Sequence, residues 1–190
     1  YPDRAEKQLH EAKALAQSLT HPFSIADVHG FAAVLSQYRR QPIETLAHAE
    51  ALLALAEAEG FPYWHAAGLM LRGWGFVGQG QREEGERCLL LGLDAHRNAG
   101  TELFRPYWLA LLAEVYGQDG RVDESLKVLT EALSLIARTG EDVYAAELWR
   151  LKGESLLALS SRGGRGKQTG TVELKRSRTG KTAVSEGTSG

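Results

Sequence analysis

Between Pro106 and Thr139 the chain carries two apolar stripes separated by one break. Leu109, Leu112, Ala113 and Tyr116 fall at i, i+3, i+4 and i+7, and after Gly-Gln-Asp-Gly-Arg the residues Leu126, Leu129, Leu133 and Ile136 repeat the same helical stripe. That period puts each set on one side of a helix, so the stretch predicts two amphipathic helices joined by a tight turn. One hairpin cannot bury both stripes alone, which makes repetition the first thing to look for.

The chain repeats the hairpin at a spacing of forty residues. Ala113 steps to Gly153 in one direction and to Gly73 and Ala33 in the other, all small residues where two helices could approach closely. Gly140 steps back to Gly100, Gly60 and Thr20, and Leu129 to Leu89, Ala49 and Leu9. Small, apolar and turn positions therefore keep one phase. The predicted helices cover about 2–19, 22–38, 42–59, 62–78, 81–99, 102–118, 121–139 and 142–159. Pro22, Pro42 and Pro62 open three of them, where a missing amide hydrogen costs nothing. In this phase the first helix is the second half of a hairpin, so the sequence is expected to begin inside a repeat and to belong to a longer protein. Uncovered helix faces at the two ends would favour self-association.

From Ser160 onward the grammar changes: seven Gly, five Ser and five Thr stand against four apolar residues and no aromatic. Too little surface can be buried there to offset the entropy of ordering, and residues 160–190 are predicted to be a disordered basic tail after a repeat domain of residues 1–159. The tail has seven Lys or Arg against two Glu, a balance of plus five, so an overall charge of minus two leaves minus seven on the body. No apolar run is long enough to span a bilayer. The single Cys88 excludes an internal disulfide and points to a reducing, cytoplasmic setting.

Candidate chemistry is sparse. Gly180-Lys181-Thr182 resembles the end of a phosphate-binding loop, but Lys175 stands where the loop needs glycine and no strand precedes it. The six histidines make no i, i+2 or i, i+4 pair, and the acidic starts Glu83-Glu84 and Asp123-Glu124 suit helix dipoles better than metals or catalysis. The basic Gly-rich run at 162–166 lacks the interleaved aromatics of a nucleic-acid arm. No catalytic, cofactor or metal residue is expected.

The repeat unit resembles the tetratricopeptide family. Leu112, Ala113, Tyr116, Gly120, Ser125, Leu129 and Ala132 match its pattern in the best copy, and Gly73, Phe76, Gly80, Gly85, Leu89 and Gly92 in the one before, with Arg72 where Leu is expected. The period exceeds the family's by about six residues and Ala137 replaces its closing proline. The resemblance implies an all-α right-handed superhelix, an α-solenoid of antiparallel helix pairs. Thr-His-Pro-Phe-Ser, Leu-Arg-Gly-Trp and Glu-Leu-Trp-Arg-Leu-Lys-Gly-Glu further resemble the carboxy-terminal repeats of bacterial signalling proteins, in which a class III adenylate or guanylate cyclase or a regulator domain and a P-loop ATPase come first.

What the resemblance implies for function is a concave face lined by the first helix of each pair. Its partner-binding positions here are Tyr38, Met70, Trp74, Tyr107, Glu114, Glu147, Arg150 and Glu154, and Asp27, Gly30, Val34 and Gln37 fall on the same inner set. Trp74 and Tyr107 are equally compatible with the core. The expected partner is a protein, a peptide or another domain of the same polypeptide, and the three glutamates favour a basic or amphipathic segment. The alternative is a domain that senses a small ligand and controls an attached output.

Overall fold

The computed structural model describes the backbone of residues 2–178 and the side chains of residues 3–161. Eight helices follow in order: α1 (Pro2–Leu19), α2 (Pro22–Tyr38), α3 (Pro42–Glu59), α4 (Pro62–Gly78), α5 (Arg82–Asn98), α6 (Arg105–Gln118), α7 (Val122–Thr139) and α8 (Ala145–Arg178). The described residues form no strand, as the helical periodicity requires.

A finer rhythm underlies the forty-residue unit. Residues 20, 40, 60, 80, 100, 120 and 140 all have positive φ, so each helix and its turn occupy twenty residues. Glycine fills five of these positions; Thr20 and Arg40 fill the other two. The following amide reaches back five residues, Gln41 to Ser36, Phe61 to Ala56, Gln81 to Phe76 and Arg121 to Tyr116, at 2.8–2.9 Å. This left-handed cap satisfies carbonyls that the helix end leaves without partners.

Packing sorts the helices into two layers. Consecutive helices pack on each other, and among the even-numbered helices α2 also meets α4, α4 meets α6 and α6 meets α8. The odd-numbered helices make no such contacts with one another. Helices that touch line the inside of a curve and helices that splay line its outside, so α2, α4, α6 and α8 form the concave wall. The core between the layers is largely aliphatic, with Leu52, Leu71, Leu89, Leu111, Leu129 and Leu148 fully buried, and Cys88 is buried with its thiol accepting from Arg72 and donating to Glu84, each at 3.7 Å.

The small residues in phase are where the layers touch. A Cβ on Gly73 would lie 2.6 Å from the Gly85 carbonyl oxygen, and one on Gly85 would lie 2.6 Å from that of Gly73. One repeat later the equivalent Ser125 instead donates to the Ala113 carbonyl at 2.9 Å. Gly153 continues the series and, among the described residues, meets no atom within 4 Å.

Two expected helix starts are displaced. Helices were expected from about 102 and 142, whereas α6 begins at Arg105 and α8 at Ala145. Pro106 explains the first: in a helix begun at 102 its ring would collide with the carbonyl four residues earlier, whereas two residues into α6 it is harmless. The freed residues 101–104 and 141–144 form loops of the same length; Thr101 Oγ1 accepts from the Leu103 amide within the first, and Thr139 Oγ1, at the end of α7, accepts from the Glu141 amide that opens the second. Phe104 ends the first loop with φ 56°, outside the twenty-residue rhythm.

The helical backbone of α8 extends past residue 159, where the repeat domain was expected to end, to Arg178. Its last buried residue among those described is Ser155, whose hydroxyl lies 3.1 Å from that of Ser125. Gly180-Lys181-Thr182 and the rest of 179–190 lie outside the described residues.

His96 ties the first loop to α5. It is fully buried, and Nε2 donates to the Leu103 carbonyl at 2.9 Å, since a carbonyl can only accept. Burial holds its pKa below the ordinary histidine value, a shift that the Leu103 bond opposes and Arg105 reinforces. Burial also lowers His29 and His48, whose rings lie 5.8 Å apart across the α2–α3 hairpin.

Gly85→Ala is expected to destabilise the protein by about 2 kcal/mol in urea titration. Forcing a methyl against the Gly73 backbone costs about 3 kcal/mol, and the gain in helix propensity returns about 1. The three histidines give a second expectation. A lowered folded-state pKa adds stability that is complete above the unfolded value of about 6.5 and is lost as pH falls through the folded value. The melting temperature should therefore drop on acidification below about pH 6.5, and His96→Gln should flatten that slope.

Candidate interaction site on the concave face

Arg40 sits at the turn after α2, and its left-handed backbone sends a long cation across the concave wall. Its guanidinium pairs with Glu114 of α6 and lies 3.7 Å from Glu147 of α8. The Trp74 ring centre of α4 is 5.9 Å away. Glu114 also accepts from Trp74 Nε1 at 3.3 Å and from Gln118 Nε2 at 3.2 Å. Arg150 donates to Glu147 at 2.5 and 2.7 Å and to Glu154 at 2.5 Å. The bonds from Arg150 hold Glu147 below the usual carboxylate range.

Five of the sequence-predicted positions, Trp74, Glu114, Glu147, Arg150 and Glu154, thus belong to one network. Its centre, Arg40, was not among the predicted positions. The signal was present: Arg40 occupies a turn position that glycine holds in five of the seven cases. The network also changes the electrostatic reading. Glu114, Glu147 and Glu154 were expected to attract a basic segment, and all three already hold an arginine of the same chain.

The predicted apolar and aromatic positions divide by burial. Met70 is 0% exposed, pressed against Gly92 where α4 meets α5, and is a packing residue. Tyr107 is 4% exposed, and its hydroxyl donates to buried Gln37 at 3.1 Å. Trp74 is 6% exposed, while Tyr38 is 50% exposed and open to a partner. The rings of Tyr38, Tyr107 and Tyr144 lie 4.9–6.0 Å apart. Burial raises all three phenols above the usual tyrosine value.

Beside this trio opens a second feature, an apolar cleft of about 250 Å³ between α2, α4, α6 and the 141–144 loop. Its walls are largely aromatic, from Phe31, Tyr38, Tyr63, Trp64, Phe104, Tyr107 and Trp108. Gly30 makes room for them: a Cβ there would stand 2.2 Å from Trp64 Cζ3, so the indole lies directly on the α2 backbone. Most of these rings were absent from the predicted set, although Pro62-Tyr63-Trp64 and Pro106-Tyr107-Trp108 repeat one tripeptide. They stand 44 residues apart, because α6 starts three residues late and its proline is the second helical residue where Pro62 is the first, and so fall out of the forty-residue phase.

Among the described residues no group of three or more His, Cys, Asp or Glu assembles that could hold a metal ion, and no helix is long and apolar enough to cross a membrane.

No protein-family model matches the chain, and no curated protein does. Among solved structures it is similar to a Podosopora anserina chain described as a candidate kinesin light chain with nearly identical TPR-like repeats. The identity is 18%, the TM-score 0.51, and the match covers 97% of this chain and 99% of that one. At that identity the likeness bears on the fold, and it supports the TPR-like helical-repeat architecture.

Arg40 combines a strained backbone with a bridging side chain, and the two can be separated. Left-handed geometry costs a non-glycine residue about 1 kcal/mol, while exposed ion pairs contribute about 0–1 kcal/mol each. Arg40→Ala keeps the strain and loses the pairs; Arg40→Gly loses both. Denaturant titration should therefore find the Gly variant more stable than the Ala variant by about 1 kcal/mol.

Proposed function

We propose that this chain is a non-catalytic interaction scaffold whose concave face holds a protein or peptide segment, or another domain of the same polypeptide. The observation that carries this reading is the ring-lined cleft with half-exposed Phe31 and Tyr38 at its edge. Large aromatic side chains left open on a concave surface are what partners bury at the energetic centre of an interface. The paired network beside the cleft supplies a polar rim whose charges are already satisfied, so a partner displaces little hydration from them.

The phrases quoted from the sequence support a place within a larger bacterial signalling protein, with a cyclase or ATPase output elsewhere in that chain. The alternative is a regulatory domain that responds to a small ligand, and the partly enclosed shape of the cleft favours it as the second reading.

Site-specific cross-linking tests the scaffold. A photoreactive phenylalanine replaces Tyr38 on the concave face, or Ile43 on the outer layer, which is 67% exposed. Capture of a discrete protein or domain from position 38, and none from position 43, is the expected result. Equal capture from both, or none from position 38, counts against a concave-face scaffold.

A further inference from the structure

We propose that the ring-lined cleft receives an N-methylated lysine ammonium group of the bound segment, held by the ring faces and by the field of Asp27 and Glu141 at the Tyr63 end. This rests on the scaffold reading above and names what the segment must carry.

The rings are arranged as walls. Neighbouring planes meet at steep angles: Tyr63 and Trp64 at 72° with centres 4.9 Å apart, Phe31 and Trp64 at 73° and 6.2 Å, Tyr38 and Tyr107 at 82° and 5.8 Å. Rings at such angles are not coplanar, so the space is bounded by rings from several directions. Ring faces are negative, so a space walled by seven rings suits a rounded cation better than a flat neutral ring, which would stack on one wall.

Charge singles out the same end of the cleft. Asp27 lies one turn before Gly30 and Phe31 on α2, and Glu141 lies two residues before Val143, which lines the cleft. Both carboxylates reach Tyr63 electrostatically and, after burial, push its phenol up to about 12. Burial raises both acids themselves, and no basic group pulls either of them back. Among the described residues neither makes an ion pair, in contrast to the paired glutamates of the network. The Tyr63 end of the cleft thus lies in the field of two carboxylates that no described cation pairs.

Methylation follows from the lining. Neither carboxylate lines the cleft, so its interior offers a cation charge stabilisation without a carboxylate acceptor. A primary ammonium would lose water bonds that the rings do not replace, whereas a methylated one has few to lose. A protein source follows from the shape. Tyr38 and Val143 also line a second cleft of about 560 Å³, with Arg40, Tyr144 and Arg150 among its other residues, so space for the chain lies next to that for the head group.

The test titrates the protein with four probes followed by NMR shifts of the Trp side-chain amides. They are an acetylated trimethyl-lysine amide, the unmethylated lysine amide, the neutral isostere with carbon in place of nitrogen, and free tetramethylammonium. The trimethyl-lysine probe is expected to bind about tenfold more tightly than each of the others, a difference of about 1.4 kcal/mol. The Asp27→Asn, Glu141→Gln double variant, with an unchanged circular dichroism spectrum, should lose most of the preference over the neutral isostere. Equal binding of the neutral isostere overturns the cation assignment, and equal binding of unmethylated lysine overturns methylation. Tetramethylammonium binding as tightly as the peptide probe overturns the protein source. Absence of binding by every probe overturns the site as a whole, while capture at position 38 still decides the scaffold reading.

Discussion

Backbone-to-backbone approach between paired helices is the constraint on which the rest of this structure depends. Where α4 meets α5, Gly73 and Gly85 leave no room for a single methyl, and Gly92 admits Met70 in the same interface. Such contact brings the layers close enough for the even-numbered helices to touch one another. A looser interface would spread them and flatten the wall that carries the candidate site. The aliphatic core supplies most of the favourable free energy, but the small residues decide its shape.

The site arises where that regularity is broken. Seven turns keep the twenty-residue rhythm, and the loops at 101–104 and 141–144 shorten the starts of α6 and α8. Shortening an inner helix by a turn removes side chains that would otherwise fill the concave wall. Into that space come Phe104 and Val143 as cleft walls and Tyr144 against Tyr38. Phe104 holds a left-handed backbone to do so, as Arg40 does at its turn, and departures of this kind concentrate at functional surfaces.

The fold was largely legible because helical repeats encode it locally. Apolar spacing, turn glycines and prolines at 22, 42 and 62 each report on structure within a few residues. Legibility failed at 102 and 142, where the forty-residue phase hid a proline shifted by four positions and a second loop of the same form. The predicted inner-face positions do not all share one environment. Trp74, Glu114, Glu147, Arg150 and Glu154 do converge, whereas Met70 turns into the core because position on a helix face does not reveal how closely the next helix packs. Arg40, Tyr63 and Trp64 escaped because their roles depend on contacts with residues far away in sequence, up to 107 positions for Arg40 and Glu147.

Stacked repeats ordinarily share energy only with their neighbours, so such an array bends like a coil spring whose stiffness accumulates step by step. The Arg40 side chain departs from that rule, because it joins the turn after α2 to α6 and α8 while lying over a ring of α4. It acts as a stay drawn across the mouth of the curve. Added salt, which weakens an exposed ionic tie, then becomes a control on elasticity: the arc is stiff and narrow when the tie holds, and more compliant when it is screened.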